Sequence, residues 1–220
     1  MINVKISEEL KQICGSIFLG CVGCKVKVSS KNDLLWREIL KTQDLILDTM
    51  TKADAKNITA IKASRECYKK LGWNPDRYPL SSEALLKRIL SQKGMYQINN
   101  IVDINNLISL RSYFSIGAYD ADKIDKEILF DTGKPGETYE SIGKGSFKVD
   151  SLPVFRDHAG AFGSPTSDSK RSCISLDTRS IIMIIISFSG LTNVRETTES
   201  AVDLLTEFAG ATNLYHDLVI

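Results

Sequence analysis

Histidine is nearly absent. His158 and His216 are the only imidazoles in 220 residues, so chemistry that needs a histidine base has few places to stand. His158 directly follows Asp157, and chain neighbours point apart, so the sequence assembles no Ser/His/Asp triad on it. There is no GxGxxG, no GxxxxGK[ST] and no HExxH, which sets aside dinucleotide, P-loop and zinc-protease chemistry. An excess of either charge is also lacking. With 28 basic and 27 acidic side chains the formal net charge is +1, so no global field draws the chain to polyanions, and any nucleic-acid contact must come from a local patch.

Long apolar runs are missing too. The most apolar stretch, "SIIMIIISFS" from Ser180 to Ser189, is about half of the roughly twenty residues a bilayer span needs. Its β-branched side chains and flanking Ser and Gly predict a central strand buried on both faces. The five cysteines, Cys14, Cys21, Cys24, Cys67 and Cys173, are odd in number and scattered. No secretory leader pattern precedes them, which points to a reducing cytoplasm. Cys21 and Cys24 have CxxC spacing, yet zinc would want a second pair and a redox motif would want a helix start. In the strand-like "SIFLGCVGCKVKVSS" they read as small core residues. No metal and no cofactor is expected.

What remains is an ordinary folded composition, 43% hydrophobic and 25% charged, in a chain long enough to bury roughly 70% of its unfolded surface. "INVKIS" predicts a strand and "SEELKQICGS" a short helix capped by Ser7. "IFLGCVGCKVKVSS" predicts a strand. "NDLLWREILKTQDLILDTM" predicts a helix with Leu34, Leu35, Ile39, Leu40, Leu45 and Ile46 as its packing stripe. After "WNPDRYPL", which offers Arg77 and Tyr78 on a rigid loop, "SSEALLKRILSQKG" predicts an amphipathic helix opening at Ser81 or Ser82 and closing at Gly94. A helix from Ile98 through "NNIVDINNLISLRSYF" leads to a turn in "IGAYDADKI", a strand "EILFDTG", and a hairpin "YESIGKGSFKVDSLPVFRD" with Gly143 and Gly145 near its tip. "HAGAFGSPTSDSKRSCISLDTRS" reads as a long polar loop, and "ETTESAVDLLTEFAGATN" as a helix ending at Gly210. Strands and helices without a βαβ repeat imply an α+β fold of mixed and antiparallel sheets with packed helices.

The helix from Ile98 raises a question. Asp103, Asn105, Asn106, Ser109 and Arg111 stand in an otherwise apolar stretch, and a buried polar group left unpaired costs about 1–3 kcal/mol. Either they hydrogen-bond internally and fix the helix to a loop, or they face a ligand. Arg111 could clamp a carboxylate or phosphate, or form an ion pair with Asp120 or Asp157. Lys170, Arg171 and Arg179, with Asp168 just before them and Asp177 among them, could cradle phosphate or satisfy one another.

The order "SSEALLKRILSQKGM..INNIVDINNLISL", "GAYDADKI", "GKPGETYESIGKG", "RDHAGAFGS" and "CISLDTRSIIMIII" resembles the tRNA-binding and editing domain of the bacterial phenylalanyl-tRNA synthetase beta chain. The resemblance spans roughly Ser81 to Ile186. It implies a free-standing α+β domain over residues 1–220, made of two interleaved halves: a more variable part, 1–80, and an editing-domain-like part, 81–220. It also implies a pocket in which water hydrolyses a mischarged aminoacyl ester. Carried over by position, the pocket holds Asp103, Asn106, Arg111, Gly117, Ala118, Tyr119, Asp120, Gly163 and Thr178, with Arg171 nearby. Two departures stand out. Gly117 replaces the family's histidine, and Pro165 replaces its acid, leaving Asp168 as the nearest substitute. In this reading Asn106, Asp120 and Thr178 orient substrate and water, and Arg111 holds an anionic group. The partner is the aminoacyl end of a tRNA. The alternative is a non-catalytic module that takes a free amino acid or small anion in the same pocket.

Overall fold

The computed structural model describes residues 1–143 and 145–220. Lys144, at the expected hairpin tip, lies outside them. Two four-stranded sheets stack face to face, and helices cover the outer face of one of them.

The helix-covered sheet has strand order β10(Thr212–Val219), β2(Phe18–Lys25), β9(Ser180–Ser187), β3(Ser115–Asp120), antiparallel throughout. β9 pairs on both sides, and its residues from Ile181 to Ser187 are all buried, as its continuous apolar run from Ile181 to Ile186 requires. On its helix side it packs against α2(Asp33–Thr49), α5(Asn100–Ser112) and α6(Val194–Ala209). The second sheet is mixed. β1(Asn3–Ile6) pairs in parallel with β4(Glu127–Thr132), which continues antiparallel to β7(Pro153–Asp157) and β8(Gly160–Gly163). Between the sheets lie Tyr119, Phe130, Phe155 and Phe162, all fully buried. β5(Thr138–Ser141) and β6(Gly145–Lys148) form the expected hairpin. α1(Glu8–Cys14), α3(Thr59–Lys70) and α4(Ser81–Leu90) complete the order. The architecture is α+β, with mixed and antiparallel sheets and packed helices.

Among the described residues three α-helices carry side-chain caps, whereas α4, expected to open on a serine and close at Gly94, has Leu80 at its N-cap with no side-chain bond and ends at Leu90. Ser7 accepts from the Leu10 N–H, Asn32 from Leu35 and Asn99 from Val102, and Gly210 ends α6 in the left-handed region at φ 58°. Residues 115–120 form the edge strand β3, not a turn. The Gly and Asp content suggested a turn, but pairing with β9 decides the conformation. The expected polar loop likewise begins with strand β8, held by β7. α2 buries Leu35, Ile39 and Ile46 with Thr42 and Gln43, while Leu34, Leu40 and Leu45 of the expected stripe are exposed. The docking face is centred one step round the helix from where leucines alone would place it.

Cys21 and Cys24 sit in β2, buried and unpaired. Three residues apart on a strand, they point to opposite faces, one into each core, so they cannot act as a pair. Burial pushes the Cys21 thiol up to about 12 and the Cys24 thiol up to about 11. Cys14 and Cys67 are joined as a disulfide between α1 and α3, with Cα atoms 5.0 Å apart. A reducing compartment would open such a bond, and residues separated by 53 positions cannot be paired from spacing alone. Among the described residues no helix is long and apolar enough to cross a membrane.

Candidate functional site

α5 answers its own polar question residue by residue. The Asn100 amide donates to the carbonyls of Lys27 (3.0 Å) and Phe208 (2.9 Å) and accepts from Ser29 N–H (2.9 Å), so it ties three segments together. Asp103 accepts the Ile98 N–H at 3.1 Å, and Ser109 donates to the Phe114 carbonyl at 2.7 Å. These are structural bonds. Asn105 and Asn106 remain, and both face a cleft of about 420 Å³.

The cleft lies between α5 and β3 on one side and the loop after β8 on the other. Val102, Ile116, Ala118 and Ile174 make apolar walls, and the polar groups are Ser81, Asn105, Asn106, Asp168, Lys170 and Cys173. The Asn105 Oδ1 is buried without a hydrogen-bond partner among the described residues, which costs about 1–3 kcal/mol until a donor arrives.

The opposite wall is rigid. Ser164 Oγ accepts from the N–H groups of Thr166 (3.3 Å) and Ser167 (3.1 Å). Tyr139 donates to the Ser167 carbonyl, Tyr68 bonds Thr166 at 2.9 Å, and Ser81 N–H donates to the Pro165 carbonyl at 2.7 Å. This frame holds Asp168. One edge of its carboxyl opens on the cleft, yet protein surrounds it closely enough that burial pushes its pKa up to about 7. Hydrogen bonds from Tyr119 and the Ser164 backbone pull the other way. Tyr119 donates to Asp168 Oδ1 at 2.9 Å, and burial, followed by the neighbouring Asp168 charge, drives its own phenol upward.

Gly117 has a clear physical role here. A Cβ on it would stand 2.1 Å from the Tyr119 hydroxyl, and one on Gly163 would stand 2.2 Å from the same atom. The two glycines leave the slot in which the Tyr119 ring lies. The ring meets Phe162 edge-on with centroids 5.0 Å apart, so it cannot swing away freely. Gly117→Ala or Gly163→Ala is therefore expected to cost about 1–3 kcal/mol or more by overpacking, readable as a drop in the urea midpoint. No loss in either variant would mean the ring yields.

The cleft gathers Asn106, Ala118 and Asp168 from the expected set, with Gly117, Tyr119 and Gly163 directly behind its wall. The other expected residues stand elsewhere. Asp120 accepts from the Thr178 hydroxyl at 2.7 Å and meets Lys123 at 3.2 Å. Both Asp120 and Thr178 are buried, a satisfied pair that closes the end of β3. Arg171 makes a bidentate pair with Asp157, both bonds 2.9 Å. Asp103 caps α5. Arg111 lies on the outer surface, 40% exposed, with its guanidinium 3.0 Å from Glu38. It points outward because its helical position falls on the α2 side of α5. Arg111→Ala is expected to cost less than about 1 kcal/mol, as exposed pairs do, and to leave ligand affinity unchanged. A large affinity loss would return Arg111 to the site. Lys170, one of the cations expected to cradle phosphate, joins the wall, and Cys173 and Ser81 join it without a motif to announce them. His158 pairs with Asp125 on the surface, away from the cleft.

Two carboxyls sit above their usual range, Asp103 at about 6 and Asp168 at about 7, both through burial. Their protonated forms are favoured in the folded chain. The stability they contribute is full below the unfolded carboxylate value near pH 4 and is lost as pH rises through about 6 and 7. Asp103→Asn and Asp168→Asn are each expected to stabilise the chain at pH 8, on the order of 1–2 kcal/mol, and to be nearly neutral at pH 4. Calorimetric Tm against pH checks this, and an equal effect at both pH values would contradict it.

The B3/4 domain model matches residues 63–210. The chain belongs to the B3/4 domain family. Among solved structures this B3/4 domain is similar to an N-terminal fragment of the phenylalanyl-tRNA synthetase beta-subunit from Pyrococcus horikoshii. The two are 14% identical with a TM-score of 0.50, and the match covers 99% of this chain and 50% of that one. The chain thus spans half the length of that fragment, and the likeness is one of fold. A search of curated proteins finds no match.

Proposed function

We propose that this B3/4 domain binds the aminoacyl end of a tRNA in the cleft beside α5 and hydrolyses its ester, acting as one unit over residues 1–220. The observation that carries the reading is the orphaned Asn105 Oδ1 in one wall, opposite a rigidly held carboxyl raised to about 7. An aminoacyl ester brings an ammonium group, which supplies the donor that Asn105 lacks once the side chain turns its oxygen into the cleft. Near neutral pH Asp168 is divided between acid and base forms, which suits removal of a proton from an attacking water. The amide N–H groups of Asn105 and Asn106 are the available donors for the oxyanion that develops on the carbonyl. The departing ribose oxygen then takes a proton back from Asp168. The aliphatic walls suit an apolar side chain, and exposed Lys170 at the rim suits a terminal phosphate.

A panel of mischarged tRNAs tests the proposal. Ester loss accelerated for at least one pair supports it, and loss no faster than in buffer for every pair ends it. Balanced charge, +1 overall, favours a second reading, a binder of free amino acids. Calorimetry separates the two. tRNA binding that weakens steeply with salt supports the first, and salt-insensitive binding of a free amino acid alone supports the second.

A further inference from the structure

Among the described residues nothing covers Leu34 or Leu45 on the outer face of α2, and the pattern of that face is complementary to itself. Leu34 and Leu45 are each 62% exposed, a poor use of leucine on a monomer surface. They do not stand alone. Lys31, Leu34, Glu38, Lys41, Leu45 and Asp48 recur at alternating spacings of three and four and so line one seam of the helix, two leucines among four charges. Lys31 lies just before the Asn32 cap and the others lie within the helix. Along the chain the seam reads cation, leucine, anion, then cation, leucine, anion, so that reversing one copy sets every cation against an anion and every leucine against a leucine.

We propose that a second copy of this chain packs against this face, with α2 antiparallel to its twin about a two-fold axis between residues 39 and 40. In that register Leu34 meets Leu45 of the second copy, Glu38 meets Lys41, and Lys31 meets Asp48, and each pair occurs twice. A two-fold interface requires this reciprocity, residue i on j and j on i. The flanking Arg37 and Asp44, both exposed, lie on one edge of the seam and come near one another across the axis. Beside the seam a groove of about 320 Å³, lined by Leu45, Ile46, Leu110 and Tyr113 among others, gives the partner's helix a place to seat. Within one chain Glu38 already holds Lys41 at 2.8 Å and Arg111 at 3.0 Å, so the second copy adds a cation to an anion fixed in position. The contact runs about 25 Å along the helix at 1.5 Å per residue. That puts it at the small end of specific interfaces, below about 1,200 Å², and makes the dimer a concentration-dependent one. The proposal does not depend on ester hydrolysis.

Sedimentation equilibrium over concentrations from about 1 to 500 μM, spanning affinities typical of small interfaces, is the test. The expected result is a monomer–dimer equilibrium that Leu34→Glu or Leu45→Glu weakens by about tenfold or more, the loss of one buried leucine contact at each of two sites. These side chains are exposed in the monomer, so circular dichroism and Tm should stay at the parent values. Lys31→Glu alone and Asp48→Lys alone set like charges across the pair and weaken the dimer, and the two together restore it. A chain that stays monomeric throughout overturns the proposal. So does a dimer indifferent to both leucine changes, or a double charge swap no better than either single.

Discussion

Asp168→Asn is expected to lower the rate of the proposed ester hydrolysis by about 10²–10⁴-fold, the usual worth of a positioned proton acceptor, with little change in KM. Asparagine keeps the size of the side chain and can still accept from the Tyr119 hydroxyl, so the frame after β8 should hold and the loss should fall on kcat. The pH profile sharpens the test. With Asp168 as the base, activity in the parent rises with pH through about 7 and then levels. Tyr119→Phe removes a hydrogen bond that lowers the Asp168 pKa, so the rising limb should move to higher pH while the plateau survives. A limb unmoved by Tyr119→Phe, or activity retained in Asp168→Asn, would remove Asp168 from the reaction.

The largest expected stability effect lies in α4. Glu83 is fully buried, an unusual place for a carboxylate. It survives because the Arg65 guanidinium donates to both its oxygens, at 2.9 and 3.0 Å, and Lys87 stands 2.6 Å away. Arg65 also reaches Asp76 at 2.9 Å, so the network joins α3, α4 and the loop between them. Glu83→Ala leaves a buried guanidinium short of its main partner and is expected to cost about 3–5 kcal/mol, a Tm loss of roughly 10 °C for a chain of this size. The exposed pair of Glu8 and Lys11, 3.1 Å apart, is the contrast, and Glu8→Ala should cost under about 1 kcal/mol. Equal losses in the two variants would show that burial does not set the worth of the α4 network.

The fold was legible wherever local pattern and tertiary context agree. β9 announced itself because a strand buried on both faces must be apolar at every position. Segments with glycine at close approaches were misleading. β3 and β8 look like turn and loop because Gly117 and Gly163 are small for the sake of the Tyr119 ring, a contact between strands far apart in sequence. In α2, leucine content marked a helix but not the buried side, because Thr42 and Gln43 face the core while Leu34 and Leu45 face outward.

At the cleft, the sequence pointed to the helix and the loop that line it. It could not separate polar groups that serve the backbone from those that face the cleft. Asp103, Asn100 and Ser109 hydrogen-bond to main-chain groups close by or across the core, and nothing in their spacing distinguishes them from Asn105 and Asn106. The Asp120 and Thr178 pair shows the same ambiguity. Two groups suited to holding a water hold each other.

The central claim is that the cleft between α5 and the loop after β8 receives an aminoacyl group. A crystal structure with a non-hydrolysable amide analogue of 3′-aminoacyl-adenosine tests it most directly. The expected density places the ammonium against Asn105 Oδ1, the carbonyl within reach of Asp168, and the side chain among Val102, Ile116 and Ile174. An analogue bound at saturation on any other surface, with this cleft filled only by water, would contradict it.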